Sequence, residues 1–174
     1  MTTLSDALAD IAHYIRADSP RTFSSVTTPQ QIFTTPANGR LTLPVGLYHI
    51  EGLLNIGSMS ATTGNFLFNL LGAGTATLGS ILYHGIGVDG ATGTAATQTG
   101  STMVAASTPA SALTAGTGTA ATLNIKGEFE VTVAGTLIPS ISLVTAAAAV
   151  LAAGSYLQIT ARGTTTTTSV GAWD

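Results

Sequence analysis

The chain has 174 residues, enough for one domain with a sizeable core and too few for two comfortable ones. Only 7% of them are charged, against roughly 25% in an average soluble domain, and the net charge is −3. Five scattered basic residues exclude a nucleic-acid stripe or an acidic-membrane surface, and the lack of cysteine excludes disulfides and thiolate metal sites.

Hydrophobic residues make up 45%, much of it alanine, and Thr, Ser, Gly and Ala dominate the remainder. A surface built from such residues is either covered by hydroxyls and small groups or buried against partners. No basic-then-apolar leader opens the sequence, and the longest apolar run, Ala146–Ala153, is too short to span a bilayer. The expectation is synthesis in a cytoplasm followed by incorporation into a durable assembly, with no membrane and no cofactor.

Three regions are expected: an N-terminal helix over 1–19, an extended linker over 20–40 and a β domain over 41–174. Leu4, Leu8, Ile11 and Ile15 recur at helical spacing and form one apolar stripe, with Thr3 or Ser5 as a cap and Pro20 as the stop. The stripe can pack on its own domain, bundle about a symmetry axis or dock on another protein. Pro20, Pro29 and Pro36 punctuate the linker, Asn38-Gly39 is a turn signal, and Gln31–Thr34 reads as a short edge strand.

Strands and turns then alternate. In Leu47–Ile56, the residues Tyr48, Ile50, Leu54 and Ile56 line one face. Asn65–Leu71 is apolar on both faces, which places Phe66 and Phe68 centrally or at a subunit interface. Ser80–Val88 is a further apolar strand. The Gly/Ala/Thr/Ser stretch 89–120 reads as an exposed loop holding one strand near Thr99–Ala105. Thr122–Val133 is the clearest strand: Leu123, Ile125, Phe129, Val131 and Val133 point to the core, and Asn124, Lys126, Glu128 and Glu130 point away. In Thr136–Val144, Pro139 marks an edge or bulged strand where a neighbouring subunit can pack. Ser155–Arg162 brings Tyr156 to the same candidate interface. The Thr-rich end adds a last strand with Trp173 as anchor. Many short strands between Gly/Pro turns predict an all-β fold, a jelly-roll β-sandwich.

Catalytic patterns are scarce. Glu128 and Glu130 share a face at roughly 7 Å, a spacing paired carboxylates can use, yet they sit on the polar side of an alternating strand. His49 and Glu51 are same-face neighbours that symmetry could gather about an axis as a metal site, whereas His13, His49 and His84 have no ligand spacing among themselves. Asp89-Gly90 reads as a turn, and Lys126, the only lysine, as a polar-face residue. There is no G-x-S-x-G elbow, no G-x-G-x-x-G after a strand and no P-loop lysine. The chain reads as a non-enzyme with no catalytic, cofactor-binding or metal residues.

The run Leu43-Pro44-Val45-Gly46-Leu47-Tyr48-His49-Ile50-Glu51-Gly52 resembles the G-x-Y opening strand of trimeric jelly-roll virion modules of tailed bacteriophages. Gly127–Val131, Gly135–Pro139 and Gly154–Leu157 are similar to the C-terminal half of those modules. The resemblance covers about residues 41–173 and leaves loop 89–120 outside the pattern. It implies a homotrimer with a tumour-necrosis-factor-like shape, located in the virion, with the major capsid protein or another virion protein as partner. A capsid cement (decoration) protein fits a chain with no fibrous shaft. A receptor- or glycan-binding head of a tail or head fibre, with a host surface glycan as partner, is the alternative. The absence of any aromatic in 89–120 counts against that alternative.

Overall fold

The computed structural model describes residues 12–34, 39–62, 64–89, 97–104, 110–113 and 119–163. Among these the chain is all-β. Strands β1 (Ala12–Arg16), β2 (Arg21–Thr22), β3 (Gln30–Gln31), β4 (Leu41–Leu43), β5 (Gly46–Gly57), β6 (Phe66–Asn69) and β7 (Thr77–Asp89) come first. They are followed by β8 (Thr97–Val104), β9 (Ala110–Leu113), β10 (Ala121–Val133), β11 (Gly135–Leu137), β12 (Ser140–Leu143), β13 (Val150–Leu151) and β14 (Tyr156–Gly163).

The large sheet runs β1-β14-β5-β10-β7-β8, with β13 joined to β5 and β2 to β13. The small sheet runs β3-β12-β6-β9, and β11 pairs with β4 alone. Every ladder is antiparallel. The long central strands follow the period of two: along β5 and β10 alternate residues are buried and the rest face solvent. The small sheet covers the buried face. Phe66 and Phe68 from β6 are fully buried, and the Phe68 ring meets Tyr83 of β7 edge-on at 6.1 Å. Gly85 and Gly87 lie opposite Ile125 and Leu123, and the missing side chain at Gly85 leaves room for Leu123.

The structure revises several expectations. Residues 12–16 form a strand, not the end of a helix. They pair with β14 from Ala12↔Thr160 to Arg16↔Tyr156, Ile15 enters the core, and Tyr14 stacks on Tyr156 at 5.5 Å. A stripe spaced for a helix loses to a ready ladder because Tyr and Ile also suit strands and the pairing arises far away in sequence. Leu4, Leu8 and Ile11 lie outside the described residues, as does Trp173 with the expected last strand.

The expected linker is also part of the body. Its β2 pairs with β13 and its β3 with β12, while Phe23, Ile32 and Phe33 are buried. Phe66 and Phe68, expected centrally or at a subunit interface, are central, and Pro139, expected at an interface, is also buried within the chain itself. Pro139 divides its segment between β11 and β12, which belong to different sheets. Ile138 bridges to Gly72 at this crossover, and the Pro139 carbonyl accepts the Ile32 amide at 2.9 Å. Tyr156 is half-buried beneath Tyr14. Val133, expected in the core, is 56% exposed. The β10–β7 register shifts twice after Phe129, and the β5 ladder ends at Val131, so the last residue has no wall to face. Tyr48, Ile50, Ile56, Leu123, Ile125, Phe129 and Val131 are buried. The stretch 89–120 contains β8 and also β9, a strand its composition does not announce.

Tyr48 stacks on Phe129 at 5.5 Å and donates its hydroxyl to the Pro44 carbonyl at 2.8 Å. Burial pushes its pKa above the ordinary tyrosine value of 10.0. The unfolded chain therefore loses this proton first as pH rises. The stabilisation is intact below about pH 10 and is lost as pH climbs through the folded value. Urea denaturation between pH 8 and 11 is expected to show a steeper alkaline loss for the wild type than for Tyr48→Phe. Parallel slopes would show that Tyr48 does not carry the effect.

Candidate interaction face and a basic cleft

The solvent side of the large sheet gathers side chains that are far apart in sequence. Lys126 of β10 stands opposite Glu51 of β5 on one side and His84 of β7 on the other. One rung along, Glu128 stands between His49 and Leu82. The next rung in the other direction aligns Tyr156, Leu53, Asn124 and Ile86. Leu82 is 55% exposed and Tyr14 is 57% exposed on this side. A depression of about 410 Å³ is bounded by His49, Leu82, His84, Lys126 and Glu128. Strand alternation produces the arrangement: the residues that interleave with Ile50, Ile125 and Tyr83 must point out.

This face combines apolar area with both signs of charge, a mixture found on recognition surfaces. The carboxylates of the expected acidic pair differ in their surroundings. Glu130 accepts the Ser80 amide at 3.3 Å, which holds it against β7, while Glu128 lies in the His49–Leu82 row. His49 and His84 flank β10 on rungs two residues apart, about 12 Å from each other by ordinary strand spacing. Among the described residues no three His, Asp or Glu side chains converge as metal ligands. His13 sits on β1, opposite Ile159 and away from this cluster.

A second concavity, a cleft of about 400 Å³, lies where β1, β2, β13 and the residues after β3 meet. Arg16, Asp18, Ser19, Arg21 and Thr34 supply its polar lining, with Ile32, Phe33 and Leu151 as the apolar part. The Arg21 guanidinium lies over the Phe23 ring at 5.3 Å. Its Nη1 is buried and has no hydrogen-bond partner among the described residues. Desolvation by burial lowers the pKa of Arg21 below the ordinary arginine value.

Sequence reasoning placed Lys126, Glu128, His49 and Glu51 on polar faces but did not join them. It missed Leu82 and Tyr14 as exposed apolar groups and missed the cleft altogether. Tyr14 had a usable signal, since it stands outside the helical stripe. The cleft had none, because its walls come from three separate segments.

No family model and no curated protein matches the chain. Among solved structures, the infectious bursal disease virus VP2 subviral particle aligns with 86% of this chain and 39% of that chain, at 12% identity and a TM-score of 0.22. The chain thus spans about two fifths of that protein's length. A likeness at this score fixes neither fold nor function.

Proposed function

We propose that this chain is a structural, non-enzymatic virion protein of a bacteriophage, a homotrimeric jelly-roll module that decorates the capsid exterior and cements it. The observation that carries the reading is the outward face of the large sheet. Leu53, Leu82, Tyr14 and Tyr156 are set there among Glu51, Lys126, Glu128, His49 and His84, in a chain of which only 7% is charged. Such a face suits burial against a major capsid protein, with apolar contact supplying affinity and the charges fixing register. The low charge of the chain as a whole suits large contacts between copies, on the order of 2,000 Å² or more. The G-x-Y strand opening at Gly46–Tyr48 and the strands from Gly127 to Leu157 support the same reading by their resemblance to phage modules.

Purified particles should hold the protein in multiples of three per particle and in many copies, by quantitative electrophoresis against the major capsid protein. A handful of copies would overturn decoration. Light scattering of the isolated protein should give a trimer. Leu82→Glu, on an exposed site, should leave unfolding within about 0.5 kcal/mol of wild type. It should also lower capsid occupancy at least tenfold. Unchanged occupancy would remove this face from the interaction.

The stacked Tyr14–Tyr156 pair favours one second reading, a glycan-binding fibre head, because an exposed aromatic plate can carry a sugar ring. Saturable binding on a glycan array, abolished by Tyr14→Ala, would promote it over decoration.

A further inference from the structure

We propose that the Arg21 cleft is a binding site for a carboxylate carried on an apolar body, such as a small aryl or alkyl acid. Three observations converge on it. The first is the Nη1 of Arg21, buried and without a hydrogen-bond partner among the described residues. A guanidinium nitrogen removed from water without a partner is costly, and a carboxylate is its best-matched acceptor because the two planar groups can share parallel hydrogen bonds. Phe23 holds the guanidinium plane from one side, so the group is already oriented.

The second observation is the charge balance. Arg16 and Arg21 against Asp18 leave one net positive charge in the lining. That favours a monoanion, whereas a phosphate dianion would bring a second charge to a wall that already includes Asp18. The third is shape and polarity. Ala17, Pro20 and the edge of Phe33 offer apolar surface beside the cation, and the fully buried Ile32 and Leu151 back it from the core. A volume of about 400 Å³ falls within the range of small-ligand pockets. Ser19 and Thr34 stand at the lining as further hydroxyl partners. The architecture supports a preformed site: β2 is held by β13 through Leu151↔Arg21, and Ile32 is tied to the Pro139 carbonyl.

The site is separate from the outward face of the large sheet, so its test leaves the virion reading untouched. Titration calorimetry of the full chain with 4-phenylbutyrate is expected to show one saturable site per chain. The neutral 4-phenylbutyramide and inorganic phosphate should each bind at least tenfold more weakly. Arg21→Gln should lose at least tenfold affinity for the acid, and Arg21→Lys, which keeps the charge but not the fork, should lie between. The acid should raise the melting temperature of the wild type and not that of Arg21→Gln, a readout that also reports whether each variant is folded. Equal binding of acid and amide, phosphate binding as tight as the acid, or no saturable binding at all would each overturn the proposal.

Discussion

Phe68→Ala is expected to remove about 3–5 kcal/mol of stability, the cost of emptying a fully buried aromatic site. For a chain of this length that is a fall in melting temperature on the order of 10 °C. Phe68 joins the two sheets: its strand pairs with β12 and β9, while its ring meets Tyr83 across the core. Removing it takes away apolar area and an edge-on aromatic contact together, and the neighbouring strands cannot close the gap without breaking their ladders. Urea titrations at two protein concentrations tenfold apart distinguish core from interface. A core residue costs the same at both. A loss that shrinks as concentration rises would return Phe68 to a subunit interface, and a loss below 1 kcal/mol would show that the two sheets are not coupled there.

That distinction marks where the sequence stops being informative. The alternation in Leu47–Ile56 and Thr122–Val133 is local, so the buried face of β5 and β10 was legible, and with it the polar face carrying Lys126 and Glu128. A strand apolar on both sides, such as that of Phe66 and Phe68, shows only that something covers it. Whether the cover is another sheet of the same chain or another copy depends on topology. The same limit explains β1. The spacing Leu4, Leu8, Ile11, Ile15 is helical, but the free edge of β14 lies about 140 residues away in the chain, and a local period cannot register it. Pro139 was legible as a breaker. That the chain changes sheets at the break, from β11 to β12, was not.

The interaction face and the cleft divide along the same line. Each polar member of the face could be placed by parity, yet the rows Glu51–Lys126–His84 and His49–Glu128–Leu82 required the registers of two ladders. Leu82 shows the cost of reading one strand alone: in an apolar segment nothing says which leucine points out. Arg21 sat between prolines in what looked like a linker. Its significance comes from Phe23, Ile32 and Leu151 closing around it.

Gly127→Ala is expected to be as damaging as the loss of a core aromatic ring, about 3 kcal/mol, although it adds a single carbon. Gly127 stands in the middle of β10, paired with Ile50 on one side and Tyr83 on the other. A Cβ there would run into the Leu82 carbonyl and into Cα and Cβ of Tyr83. Two of these atoms are backbone and cannot swing aside, so β7 must separate from β10 and give up hydrogen bonds at the centre of the sheet. Gly57→Ala is the matched control, since nothing lies within 4 Å of a Cβ built there. It should leave stability within about 0.5 kcal/mol of wild type. Equal effects of the two substitutions would refute the crowding argument. The Phe68 and Gly127 sites also share a neighbour, because Tyr83 touches both. With Phe68 cut to Ala, the Tyr83 side chain can retreat toward the vacated space and relieve part of the crowding at residue 127. The double variant should therefore cost roughly 1 kcal/mol less than the two single losses added together. Strict additivity would mean that the backbone contact alone sets the penalty at Gly127.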